Sequence, residues 1–139
     1  MKRGYRFLEH TADMGIEAQA GSCQDVLQEM AWALKMMLFG NSPATASVAQ
    51  KLRLHADDPV ELMIVCLNEI VFWCEQGNLV LVSLQVERFS GGMLHATLTG
   101  EPFNPSRHHV ERQVKSVTYH QACLEKNPAG WYARVYVDL

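Results

Sequence analysis

The chain has 139 residues, 48% apolar and 19% charged, with a formal net charge of −3. That is one domain's length with enough apolar content for a core, which excludes a disordered or fibrous protein. The acidic balance excludes strong direct nucleic-acid binding by charge alone, because neutralising phosphates needs clustered Lys and Arg.

No apolar run reaches membrane-spanning length, and Met1-Lys2-Arg3 opens no signal-peptide core, so a single cytoplasmic domain over residues 1–139 is expected. Cys23, Cys66, Cys74 and Cys123 are widely spaced without a Cys-x-x-Cys pair. This fits reduced, mostly buried thiols better than a zinc ribbon or a disulfide framework.

Residues 5–9 and 15–20 read as two short strands. Between them Glu9, His10, Thr11 and Asp13 crowd polar groups where a hairpin needs only a turn. Ser22 can cap the helix that follows, with Asp25 three places on. Leu27, Met30, Ala31, Leu34, Met37 and Leu38 repeat at helical spacing until Gly40-Asn41-Ser42-Pro43 stops them. Residues 48–56 alternate as a half-buried strand. Asp58-Pro59-Val60-Glu61 then starts a second helix, running to about Gln76 and apolar nearly all round, so it is expected to be the more buried of the two.

Residues 79–89 and 93–100 form a hairpin around Ser90-Gly91-Gly92. Pro102 and Pro105 exclude a helix or central strand over 101–109. Two last strands, about 116–124 and 131–138, flank a turn at 126–130. The order ββαβαββββ, with short connections, predicts an α+β two-layer sandwich: a mostly antiparallel sheet with two helices packed on one face.

No phosphate loop, nucleophile elbow or His-Glu-x-x-His occurs. The six histidines are scattered, and adjacent His108-His109 make a poor chelate on a strand. Oxygen ligands are the better candidates. Asp13 borders a strand, Asp138 ends one, and Leu139 adds main-chain carboxylate oxygens. If these strand ends share a sheet edge, hard anionic groups converge where only a cation relieves their repulsion, and an all-oxygen set favours Ca²⁺ or Mg²⁺ over zinc. The alternative is two aspartates ending strands in water. Glu9 and His10 diverge as neighbours on a strand, so they make a weak acid–base pair; Lys115 is a candidate electrostatic anchor.

Five segments resemble the archease family in order and spacing. They are Phe7-Leu8-Glu9-His10-Thr11-Ala12-Asp13-Met14-Gly15-Ile16; Leu67-Asn68-Glu69-Ile70; Gly100-Glu101-Pro102 with Arg107-His108; Val114-Lys115-Ser116-Val117-Thr118-Tyr119-His120; and the ending from Gly130 to Leu139. Asn104 and Ser116 stand where the family commonly has Asp and Ala.

The resemblance implies an archease-like fold and a non-catalytic activator of an RtcB-type RNA ligase, which promotes the ligase's guanylylation and multiple turnover in tRNA splicing and RNA repair. It also implies a divalent cation, calcium ahead of magnesium or manganese, held by Asp13 and Asp138 with main-chain oxygen of Leu139. Glu9, His10, His108 and Lys115 are then supporting or partner contacts. Two rival readings stand beside this one. A chaperone-like binding module predicts an exposed apolar patch. A metal-dependent hydrolase would activate water on the same carboxylates, but lacks a base beside Asp13.

Overall fold

The computed structural model describes residues 3–9 and 13–139. In chain order the elements are β1 (Gly4–Glu9), β2 (Asp13–Ala20), α1 (Cys23–Phe39), β3 (Val48–His55), α2 (Pro59–Glu75), β4 (Leu79–Ser90), β5 (Met93–Pro102), β6 (Ser116–Asn127) and β7 (Gly130–Asp138). The α+β class and the antiparallel pairing agree with the sequence pattern. The strands, however, form two sheets, β1-β2-β7-β6 and β3-β5-β4, and each helix packs against both.

Local sequence explains the helix starts. The Ser22 hydroxyl accepts the Asp25 N–H at 3.1 Å, and the Asp25 carboxylate lies 3.5 Å from Arg3 instead of reaching back as a capping box. At α2 the Asp58 carboxylate accepts the Val60 N–H at 3.0 Å, with Pro59 in the first turn where its missing donor costs nothing.

Two expectations need correction. First, α1 is the more buried helix. It buries Val26, Leu27, Met30, Ala31, Ala33, Leu34, Lys35, Met37, Leu38 and Phe39, whereas Phe72 of α2 is 52% exposed. The apolar excess of α2 overhangs the edge strand β6 and does not meet a second layer. Second, Pro102 belongs to β5, the central strand of the smaller sheet. It is tolerated because β3 stops pairing at Gly100, so Pro102 has a neighbour only on the β4 side.

The larger sheet buries one face. Ile16, Ala18 and Ala20 of β2 and Ala133, Val135 and Val137 of β7 point into the core. On the other face Tyr132 donates to Glu17 at 2.5 Å, and Glu17 also pairs with Arg6, tying β1, β2 and β7 together. The outer edge of β6 is held by a side chain. Asn68 of α2 donates to the Val117 C=O at 2.9 Å and accepts the Val117 N–H at 2.8 Å, which replaces a missing neighbouring strand.

Asn68→Leu keeps the side-chain volume but strands both Val117 groups. We expect it to destabilise the fold by about 2–4 kcal/mol, since each unsatisfied buried group costs roughly 1–3 kcal/mol. Urea unfolding checks this; a loss below about 0.5 kcal/mol contradicts the clamp.

Candidate functional site: paired carboxylates at a sheet edge

The antiparallel register of β2 and β7 sets Asp13 directly opposite Asp138, and that of β6 and β7 sets Ser116 opposite Asp138 from the other side. Asp13 is in phase with Gly15 and Glu17, and Asp138 with Tyr136 and Arg134, so both aspartates lie on the face away from the core. Directly opposed residues sit about 4.5–5.5 Å apart at Cβ, and like charges there are unfavourable. Oδ1 of Asp13 is shielded from solvent, while Asp138 and Leu139 are exposed. The Lys115 N–H donates to the Asp138 C=O at 2.8 Å, extending the β6–β7 ladder and fixing the backbone that carries the second carboxylate.

Beside the aspartates, Tyr136 lies flat on the sheet, only 8% exposed although it points outward. Gly15 makes room for it: a Cβ there would stand 2.8 Å from Tyr136 Cε1 and 2.9 Å from Leu8 Cβ. The His120 ring meets Tyr136 edge-on at 5.8 Å. This packing next to Asp13 gives the outer face of the strand ends a fixed shape.

A second polar cluster joins the end of β5 to the connection that follows it and to the segment before β3. Glu101 accepts the Thr45 N–H at 2.8 Å and Arg107 Nη1 at 2.5 Å, and its Oε1 stands 2.6 Å from His108 Nε2. Nδ1 of His108 accepts the Asn104 N–H at 2.9 Å, so the ring proton sits on Nε2, facing the carboxylate. The side chain of His108 is 0% exposed, which places it inside this staple and away from any docking surface. The Thr45 N–H above all, then Arg107 and His108, hold the Glu101 carboxyl below its ordinary range, against the opposing effect of burial.

The other residues singled out by sequence fall as follows. The backbone of Glu9 pairs with Met14. His10 lies outside the described residues. Lys115 is exposed beside Asp138. All four cysteines are free thiols; burial pushes Cys66 and Cys74 up to about 12, so neither offers a thiolate at neutral pH. Gly15, Tyr136 and Glu101 received no role from sequence reasoning. Their importance depends on packing and on pairing between distant segments, which spacing along the chain does not display.

Among the described residues no three or more His, Cys, Asp and Glu side chains are placed so that they could together hold a metal ion. Among the described residues the acidic side chains at the edge are the two aspartates, and main-chain oxygens, the Ser116 hydroxyl and water could complete a coordination shell. That is a hard-oxygen set, suited to calcium or magnesium and unlike the nitrogen–sulfur shells of structural zinc.

The fold and site together define an α+β protein whose distinctive feature is a carboxylate pair at the mouth of an antiparallel sheet. A family model described as the archease protein family (MTH1598/TM1083) matches residues 5–139. The chain is 31% identical to a protein archease of Methanosarcina acetivorans, across 97% of this chain and 95% of that one. It is 30% identical to a protein archease of Methanopyrus kandleri, across 95% and 96%. The solution structure of Methanobacterium thermoautotrophicum protein 1598 superposes with a TM-score of 0.76 at 23% identity, covering 98% of this chain and 99% of that one. The crystal structure of an archease from Thermotoga maritima, described as a possible chaperone, superposes with a TM-score of 0.63 at 18% identity, covering 95% and 94%. The chain belongs to the archease family.

Two outcomes follow from this geometry. Gly15→Ala should push Tyr136 off the sheet and cost about 1–3 kcal/mol by overpacking, read from urea unfolding. Glu101→Gln should alter the acid limb of stability. A carboxyl with a depressed folded-state pKa contributes stability above its unfolded value, 4.5, and loses it as pH falls through the lower folded value. Wild-type Tm should therefore fall below about pH 4.5 more steeply than the Tm of the variant; parallel profiles would contradict the staple.

Proposed function

We propose that this archease is a non-catalytic protein cofactor of an RtcB-type RNA ligase, promoting the ligase's guanylylation and multiple turnover in tRNA splicing and RNA repair. The observation that carries the reading is the register that opposes Asp13 and Asp138 at one sheet edge. Asp13 and Asp138, with main-chain oxygen at Leu139, would hold a divalent cation, calcium ahead of magnesium or manganese. When bound, the ion supplies a local positive charge able to orient phosphate or carboxylate oxygens of a partner.

The chain's own residues do the rest. The core faces of β2 and β7 lock the register, Lys115 fixes the Asp138 backbone, and Tyr136 shapes the surface beside the aspartates. Lys115 is exposed and available to a partner. His108 is enclosed by Glu101 and Asn104 and so offers no base to the carboxylate edge.

A second reading has one observation in its favour. Phe72 and Tyr119, 52% and 59% exposed, line a shallow apolar depression with Ile64 and Val65, as a chaperone-like binding module would need.

A guanylylation assay with the ligase of the same organism tests the first reading. Wild-type protein should stimulate labelling. Asp13→Ala and Asp138→Ala should each weaken calcium binding at least tenfold, by calorimetry, and lose most of the stimulation; removing a group that merely orients a metal ligand typically costs about 10–100-fold. Full stimulation by both variants would refute a role for the metal edge. A short C-terminal extension that also weakens calcium binding would assign the Leu139 contribution to its carboxylate. Stimulation unaffected by removing divalent ions, together with capture of unrelated unfolded clients, would favour the chaperone-like reading.

A further inference from the structure

On the core side of the same strand ends lies a cavity of about 230 Å³, which the carboxylate edge does not use. Its walls are Leu38, Phe39, Val71, Phe103, Val110 and Val114, contributed by both helices and by the connection between β5 and β6. Arg112 and Lys115 stand at its mouth, with Glu75 on the helix side. Neither Arg112 nor Lys115 forms an ion pair among the described residues; Arg112 instead places Nη1 2.7 Å from Met14 Sδ.

The rim is built, not loose. The N–H groups of Glu111 and Arg112 donate to the Leu38 C=O at 2.8 and 3.3 Å, and the Phe103 N–H donates to the Asn78 C=O at 2.7 Å. A stitched rim lowers the ordering cost of binding.

Size narrows the occupant. An apolar cavity of about 150 Å³ accepts benzene, whereas sites for whole drug-sized ligands run from about 300 Å³ upward. This one suits a single large side chain. Charge narrows it further, since two cations without carboxylate partners favour an acidic flank. Continuity supplies the third constraint: Lys115 lines the mouth, and its N–H holds Asp138.

We propose that this cavity receives one apolar anchor residue, aromatic or leucine-like, from an acidic surface segment of the ligase, with Arg112 and Lys115 meeting the flanking carboxylates. The inference rests on the ligase reading and adds the chemistry of the partner's segment. Val110, 44% exposed at the rim, can be changed without emptying the core.

Val110→Trp fills the cavity mouth and should weaken ligase binding at least about tenfold, as loss of an anchor pocket does. Its calcium affinity and Tm should stay near wild type. Arg112→Glu should slow association and reduce its salt dependence. In methyl-labelled wild-type protein, added ligase should shift the Val71 and Val114 resonances, a reading that needs no variant.

If wild type binds and stimulates the ligase while both variants bind equally well and those methyls stay still, the cavity proposal is overturned and the ligase reading stands. If wild type neither binds nor stimulates the ligase, the ligase reading fails and takes this proposal with it.

Discussion

The constraint on which the rest depends is the pairing of β2 with β7. It joins residues 13–20 to residues 131–138, near opposite ends of the chain, and it makes β7 a central strand between β2 and β6. Strand side chains alternate, so a slip of one residue would turn Ile16, Ala18 and Ala20 outward or set Asp13 against Val137. The core forbids that slip, because these three residues and Ala133, Val135 and Val137 have nowhere else to go. Burying six apolar side chains is worth several kcal/mol, at about 0.8 kcal/mol per CH₂ group. The repulsion of two aspartates at the strand ends is smaller: an effective dielectric near 20, usual at a protein surface, leaves about 4 kcal/mol for charges about 4 Å apart, less than the combined burial of one Ile, two Val and three Ala side chains. Hydrophobic register therefore wins, and the carboxylates are forced together.

Three of the segments that resemble the family serve as fasteners around this pairing. Asn68 stands in for a strand at the open edge of β6. Glu101, Arg107 and His108 close the connection after β5 into a staple anchored on Thr45. Farther along the same connection, Glu111 and Arg112 are tied to the end of α1, and Lys115 is tied to Asp138. A long irregular connection would ordinarily be the most mobile part of a small domain. Here it is fixed at intervals, so Arg112 and Lys115 have defined positions beside the carboxylates.

Much of this was legible in the sequence because it is local. Alternation marked the strands, Ser22 and Asp58 marked the helix starts, and Gly91-Gly92 marked the hairpin turn, where both residues take positive φ. The convergence of Asp13 with Asp138 was legible for a different reason: two strands ending in Asp at the chain's extremities need share only one edge. The division into two sheets was not legible, because pairing of β3 with β5 across an intervening helix leaves no local mark. The outward apolar face of α2 was misread since composition reports how greasy a helix is, not what covers it. His108 stood as a supporting or partner contact, and only its partners Glu101 and Asn104 reveal a buried fastener. The irregularity in β6, where Gln121 takes a φ of 51°, has no glycine or proline to announce it.

Strand alternation also explains why one sheet edge can carry two unlike chemistries. Asp138 shares its phase with Tyr136 and Arg134 and so faces outward, while Val137 faces the core. Lys115, one residue before the outward-facing Ser116, falls on the opposite phase and lines the cavity on the core side. Anionic oxygens and ammonium are thus separated by the sheet itself and do not pair off, although the backbones that carry them are hydrogen-bonded. Had Lys115 and Asp138 shared a face, they would have neutralised one another as an ordinary surface ion pair, worth about 0–1 kcal/mol and of little use to a partner. Set apart, the two kinds of charge stay on opposite sides of the strand ends, which is the arrangement that the proposed cation and the proposed acidic segment would each require. A partner that contacted both sides would have to wrap the strand ends, so the proposed contact calls for a recessed site on the partner and not a flat face.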